Sequence, residues 1–221
     1  MIQAKKVTKT YIGKGVETHA LVDVTHEIKK GEFVAIIGRS GSGKSTLLYQ
    51  LALLDRPTSG TVIIEKKDTS KLSDQELSQM RLDMFGYIFQ DYALISTLTA
   101  TENVALPLIM LGKTKKEAYE IAKKALKDVG LEERTKNLPS QLSGGEQQRV
   151  SIARAVAHKP KVIFADEPTA NLDTANAKNV LDIFCKLHKQ GITIVMITHE
   201  KDTIKYAQRS IELSDGRLIK G

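Results

Sequence analysis

Three short apolar runs constrain this chain more than any other feature: Phe33-Val-Ala-Ile-Ile37, Val162-Ile-Phe-Ala165 and Ile192-Thr-Ile-Val-Met-Ile197. Runs of this length, rich in β-branched residues and lacking polar alternation, suit strands buried on both faces, as in a parallel sheet covered by helices. Each run leads straight into polar residues: Gly38 to Thr46, Asp166-Glu167, and Thr198-His199. In open α/β sheets, ligands sit beyond the carboxyl ends of the strands. The pattern therefore predicts an α/β fold, a mainly parallel sheet, and one edge that gathers the reactive residues.

A length of 221 residues fits one large α/β domain, or one domain with a small inserted subdomain. Short alternating segments, Ile2 to Val7 and Thr61 to Glu65, predict antiparallel strands flanking the core, with a turn at Arg56-Pro-Thr-Ser-Gly60. The stretch from Ser73 to Leu138 reads as mainly helical. Thr114-Lys-Lys-Glu117 is a capping box, and Ser73/Glu76 and Thr99/Glu102 are similar starts. After Thr114, the residues Ala118, Ile121, Ala122, Ala125, Leu126 and Val129 recur at helical spacing until Gly130 stops the helix.

Composition narrows the class. The hydrophobic fraction of 41% supports a real core. No run approaches the ~18–20 apolar residues of a membrane-spanning helix; the most apolar segment, Val104 to Leu111, is short and contains Pro107. The N-terminus carries no signal-peptide pattern. The lone Cys185 permits no intrachain disulfide, fits a reducing compartment, and reads as a small core residue. Much of the +7 net charge lies between Lys113 and Lys127, which reads first as a solvated helix face and second as attraction to anionic lipid. Nucleic acid is not indicated.

Gly38-Arg39-Ser40-Gly41-Ser42-Gly43-Lys44-Ser45, followed by Thr46, has the phosphate-loop spacing. Glycines let successive backbone N–H groups turn inward onto phosphate, and the next helix presents its positive end to the same anion. Lys44 is expected to reach the β- and γ-phosphates of a nucleotide, and the Ser45 hydroxyl to ligate Mg²⁺. Asp166 matches the strand-end carboxylate that holds Mg²⁺ through water, which frees Glu167, pointing elsewhere, to polarise the attacking water. Leu142-Ser143-Gly144-Gly145-Glu146-Gln-Gln-Arg149 is a loop running into a capped helix, with Val150, Ala153, Val156 and Ala157 as its buried stripe. Two glycines at that helix start make a second anion site. A simple ATPase has no evident need of two.

The segment from Leu142 to Arg149 resembles the signature motif of ABC (ATP-binding cassette) ATPases, and the ordered motifs extend that resemblance over essentially the whole chain. It implies a P-loop nucleoside-triphosphatase core with an antiparallel β subdomain, over 1–90 and 141–221, and an inserted helical subdomain over 91–140. It also implies a head-to-tail homodimer, formed with ATP, in which each nucleotide lies between the phosphate loop of one copy and Ser143, Gly144 and Gly145 of the other. By the same resemblance Tyr11 stacks on adenine, and Gln90 senses Mg²⁺ and couples to a membrane-spanning permease. Asp173, in Ala170-Asn-Leu-Asp173, communicates across the dimer, and His199 contacts the γ-phosphate. The catalytic set is then Glu167, His199, Lys44 and Gln90, with Ser45, Gln90 and Asp166 on the metal.

Within that family, Tyr87 to Leu108 and Leu53 to Gly60 are similar to the ATPases of lipoprotein release, macrolide and peptide export, and the cell-division complex. Arg39 and Ser96 stand where proline is frequent in that group. The resemblance implies a chain at the cytoplasmic face of a bacterial membrane, hydrolysing ATP to drive export or extraction. The alternative is a mechanotransmission regulator that moves no cargo. A soluble DNA or ribosome ATPase is disfavoured, because only a modest helical segment separates Gln90 from Leu142 and the chain has one cassette.

Overall fold

The computed structural model describes residues 1–13 and 15–220. In chain order its elements are β1 (Ile2–Gly13), β2 (Val16–Ile28), β3 (Phe33–Gly38), α1 (Lys44–Leu51), β4 (Ser59–Ile64), β5 (Lys67–Asp68), α2 (Asp74–Met84), β6 (Phe85–Ile88), α3 (Ala100–Met110), α4 (Lys115–Asp128), α5 (Gly144–Val156), β7 (Val162–Asp166), α6 (Thr174–Lys189), β8 (Thr193–Ile197), α7 (Lys201–Ile204), β9 (Arg209–Ser214) and β10 (Arg217–Lys220). They group into two compact units, Met1–Arg81 with Thr193–Gly221, and Leu82–Ile192.

The first unit holds two kinds of strand pairing. β2, β1, β4 and β5 form an antiparallel sheet in that order. β3 pairs in parallel with both β8 and β9, and β10 closes antiparallel on β9. The register sets Ile36 beside Ile197 and Gly38 beside Leu213, so the strand ends line up at one edge. Phe33 to Ile36 and all of β8 are buried, as their unbroken apolar character predicts. β1 is longer than Ile2 to Val7. It continues to Gly13 through register shifts after Ala4, with Lys6 at φ 49°, and pairs with β2 along its length. Gly60 opens β4 at φ 79°, where an added Cβ would lie 2.1 Å from the Lys6 carbonyl oxygen.

In the second unit β6 and β7 pair in parallel, Phe85 beside Val162 and Ile88 beside Ala165. Phe85 meets Phe164 edge to face at 5.1 Å, within the favourable range for aromatic pairs. β6 departs from the helical reading of 73–138: a four-residue strand follows α2 directly, and its pairing with β7 rather than any local pattern defines it. The capping boxes at Thr99, Thr114 and Ser143 are all formed. Helix α3 runs through Pro107, which removes the amide that would bond to the Asn103 carbonyl. The fully buried Asn103 carboxamide closes the preceding loop instead, donating to the Ile95, Leu98 and Thr99 carbonyls and accepting from the Ile95 amide.

On α4, Ala118, Ala122, Ala125 and Leu126 are buried as expected, whereas Ile121 is half-buried. On α5 burial is wider than one stripe. Gln148, Val150, Ser151, Ile152, Ala153 and Ala155 are all covered, because the helix packs against α3, α4, α6 and β6, while Val156 is only half-buried. Cys185 is likewise half-buried, not a core residue.

Candidate functional site

Within the first unit, β3 delivers the chain into the loop from Gly38 to Gly43, and α1 begins at Lys44. Two glycines fix the shape of this loop. At Gly38, φ 148°, a Cβ would lie 2.4 Å from the Leu213 carbonyl oxygen and 2.6 Å from Ser42 Oγ. At Gly43, φ 98°, it would lie 2.3 Å from the Ala20 carbonyl oxygen. Hydrogen bonds hold the rest: Ser42 N–H donates to Arg39 O (3.2 Å), Gly216 N–H to Ser42 O (3.1 Å), and Val22 N–H to Gly216 O (2.8 Å). Lys44 is 8% exposed and folds back so that Nζ donates to Arg39 O at 2.9 Å. Ser42 Oγ is buried with no hydrogen-bond partner among the described residues. Arg39, Ser40 and Gly41 are exposed, and Ser45 and Thr46 half-buried.

Helix α1 has no side-chain cap and no acidic residue in its first turn, whereas α3, α4 and α5 each carry a capping glutamate there. No side chain of its own caps the start of this helix, where the helix dipole favours an anion. The buried Lys44 and the loop from Gly38 to Gly43 stand beside it, the parts of a candidate phosphate cradle.

Tyr11, near the end of β1, is held next to that helix. Its hydroxyl donates to Asp55 Oδ2 at 3.0 Å, and Lys9 Nζ stands 5.0 Å from the ring centroid. Lys9 in turn bonds Asp55 Oδ1 (2.7 Å) and Arg56 O (2.8 Å). Burial and the neighbouring Asp55 push the Tyr11 phenol above its ordinary value, with a hydrogen bond from Thr46 working the other way. Tyr11 remains 44% exposed, standing beside the start of α1. His199 lies two residues beyond Ile197, and Gly38 two beyond Ile36; the β3–β8 register thus brings His199 to the same edge as the phosphate loop. It is exposed, and the preceding Thr198 N–H donates to Ile36 O at 3.3 Å.

Within the second unit, the β6–β7 register does the same for Gln90 and Asp166, which follow Ile88 and Ala165 respectively. Asp166 is 8% exposed. Glu167 takes a left-handed backbone, φ 44°, which turns its side chain away from the strand line, and Ala170 N–H closes the turn onto Glu167 O at 3.2 Å. Ser143, Gly144 and Gly145 open α5. Glu146 fills the capping box, its Oε2 accepting from Ser143 N–H at 2.8 Å, while Arg134 donates to its Oε1 at 2.9 Å. These bonds, Arg134 first, hold the Glu146 carboxyl below its ordinary range. Asp173 is the N-cap of α6: Oδ1 accepts from Asn176 N–H (2.8 Å) and Oδ2 from Asn176 Nδ2 (2.7 Å).

The phosphate loop, Tyr11 and His199 are thus gathered in one unit, and Gln90, Asp166, Glu167, Ser143 to Gly145 and Asp173 in the other. Sequence reasoning passed over the side chains that position them. Asp55 anchors Tyr11. The Asn171 side chain donates to Gln90 O at 3.0 Å. Asn176 packs where a Gly145 Cβ would be, 2.5 Å from its Cγ, and accepts from Arg149 Nη1 at 3.2 Å. Only the Asp173-x-x-Asn176 spacing, an N-cap signal, was available in the sequence. The others depend on long-range contacts. Among the described residues, no group of three or more His, Cys, Asp or Glu stands close enough to hold a metal by itself.

Comparison with known proteins follows the same outline. The model of the ABC transporter family matches residues 21–170. Over 99% of its length the chain is 47% identical to the lipoprotein-releasing system ATP-binding protein LolD of Aquifex aeolicus, covering 96% of that protein. It is 49% identical over 220 residues to the macrolide export ATP-binding/permease protein MacB of Mannheimia succiniciproducens, but spans only 34% of MacB's length. Among solved structures it is similar to the dimeric post-hydrolysis state of the cassette MJ0796 bound to ADP and Pi. That match has a TM-score of 0.94 and 43% identity, covering 100% of this chain and 97% of that one.

Proposed function

The chain belongs to the ABC transporter family and is an ATP-binding ATPase; from that premise we propose that it drives an export- or extraction-type membrane partner, working as an ATP-dependent head-to-tail dimer. The observation that carries the reading is the cradle at Gly38 to Ser45. Two of its glycines have no room for a side chain, its lysine is buried, and the helix behind it lacks a cap of its own.

Phosphoryl transfer asks the protein mainly for positioning and charge stabilisation. In this reading the loop amides from Gly38 to Thr46 and Lys44 hold the phosphates, Tyr11 offers its open face to adenine, and His199 meets the γ-phosphate. Glu167 orients and activates the attacking water. Ser143, Gly144 and Gly145 reach the nucleotide of the second copy, and Asp173 lies at the contact between copies. Ser45, Gln90 and Asp166 would hold Mg²⁺. Hydroxyl, amide and carboxylate oxygens suit a hard cation that keeps water and phosphate ligands, and that cation would neutralise phosphate charge.

The partner is proposed to meet the segment that follows Gln90, within the helical subdomain of 91–140. Exposed apolar side chains at Ile95, Ile109 and Met110 support that placement. No helix among the described residues is long and apolar enough to cross a membrane; the proposed site of action is the cytoplasmic face, where ATP is supplied. The named tasks of LolD and MacB, lipoprotein release and macrolide export, favour a motor over the regulatory alternative.

Substituting Glu167→Gln tests the reading. The variant is expected to bind ATP, accumulate a stable dimer visible by size-exclusion chromatography, and turn over very slowly. Hydrolysis near the wild-type rate would remove Glu167 from its assigned role.

A further inference from the structure

We propose that Arg154 is a positioning residue that ties the turn following Gln90 to the signature helix α5, so that the two move as one piece during the ATP cycle. The proposal rests on the reading that Gln90 and Ser143 to Gly145 serve nucleotide.

Tyr92 and Ala93 are consecutive non-glycine residues in the left-handed region, at φ 64° and 46°. L-residues adopt that backbone only where the surroundings hold it. The Arg154 fork supplies the hold: Nη1 donates to Ala93 O at 2.6 Å and Nη2 to Tyr92 O at 3.0 Å. A planar guanidinium bridges two carbonyls in this way; a lysine ammonium, a single point on a flexible stem, does so poorly.

The same turn also reaches the opposite end of α5. A Cβ on Gly144 would lie 2.9 Å from the Tyr92 hydroxyl oxygen, so the phenol rests on the first residue of the helix. Arg154 and Gly144 are ten residues apart, about 15 Å along a helix. Tyr92 thus touches one end through its side chain and the other through its carbonyl. Asn171 adds a third tie, donating to Gln90 O at 3.0 Å while its own carbonyl oxygen lies 3.9 Å from the Gly144 Cβ position. Displacing the turn after Gln90 must therefore drag α5 and the glycines at its head. Arg154 is half-buried, and burial lowers its pKa; the two carbonyls and the C-terminal end of its own helix face its charge.

The test uses the full chain with Arg154→Gln and Arg154→Lys, each alone and combined with Glu167→Gln. Melting temperature, ATP affinity of the monomer by calorimetric titration, and ATP-driven dimerisation by size-exclusion chromatography are measured. The expected result for Arg154→Gln is monomer affinity within about twofold of wild type, with the ATP needed for half-dimerisation raised roughly tenfold or more, the loss of two charge-assisted hydrogen bonds. Arg154→Lys should fall between, and serves if the glutamine variant fails to fold. Unchanged dimerisation overturns the proposal. So does a dimerisation defect that merely tracks lost melting temperature and lost monomer affinity, since that marks a structural role. If Glu167→Gln with Arg154 intact does not dimerise on ATP, the dimer reading itself fails, and this proposal falls with it.

Discussion

Gly41 and Gly43 lie two residues apart in the phosphate loop, both in the left-handed region, at φ 77° and 98°. Replacing each with alanine separates backbone strain from steric exclusion. At Gly41 an added Cβ meets nothing within 4 Å. The backbone term of about 1–2 kcal/mol is then partly offset by the roughly 0.4–1 kcal/mol gained from a less flexible unfolded chain. At Gly43 the same Cβ lies 2.3 Å from the Ala20 carbonyl oxygen and 3.1 Å from Leu21 Cδ2. The carbonyl is strand backbone, set between the paired residues His19 and Leu21 of β2, so it can give little and overpacking adds about 1–3 kcal/mol. The net costs are about 1 kcal/mol for Gly41→Ala and about 2–4 kcal/mol for Gly43→Ala. For a chain of this size these correspond to about 2–4 °C and about 4–16 °C in melting temperature. Thermal unfolding followed by circular dichroism, without nucleotide, measures both. Equal losses in the two variants would refute the claim that Ala20 sets the shape of the loop.

Other expectations concern the caps, the ion pairs and the paired site. Thr99→Ala removes the cap whose hydroxyl serves Glu102 N–H, and should cost about 1 kcal/mol and about 2–4 °C, read by the same unfolding assay. Ser143→Arg should leave monomer ATP affinity unchanged yet abolish ATP-driven dimerisation; loss of monomer binding would contradict a signature loop that acts on the second copy. Glu32 is pushed up by burial, but hydrogen bonds from Arg209 and from Lys29 N–H outweigh this and hold its carboxyl below its ordinary value. A depressed carboxylate contributes stability that is present above its unfolded pKa and lost as pH falls through the folded one. Glu32→Gln should therefore lose stability at neutral pH and show a shallower decline below about pH 4.5, measured as urea midpoints across pH.

The division between what could be read early and what could not follows the range of each interaction. Capping boxes at Thr99, Thr114 and Ser143 are three-residue spacings that bond within one helical turn, so the sequence alone determines them. β3, β7 and β8 declare themselves because residues buried on both faces must be apolar throughout. The spacing of Gly38, Gly43 and Lys44 in the phosphate loop is equally local, although Ala20, Leu213 and Gly216, distant in sequence, set the walls that those glycines must clear. Tertiary structure decided the rest. β6 is a strand because β7 offers it a parallel ladder, with no turn between it and α2 to announce it. Arg154, Asn171 and Asp55 lie far in sequence from Tyr92–Ala93, Gln90 and Tyr11, the groups they hold. A side chain's partner across such a span is set by how the chain packs, and no spacing in the sequence encodes it.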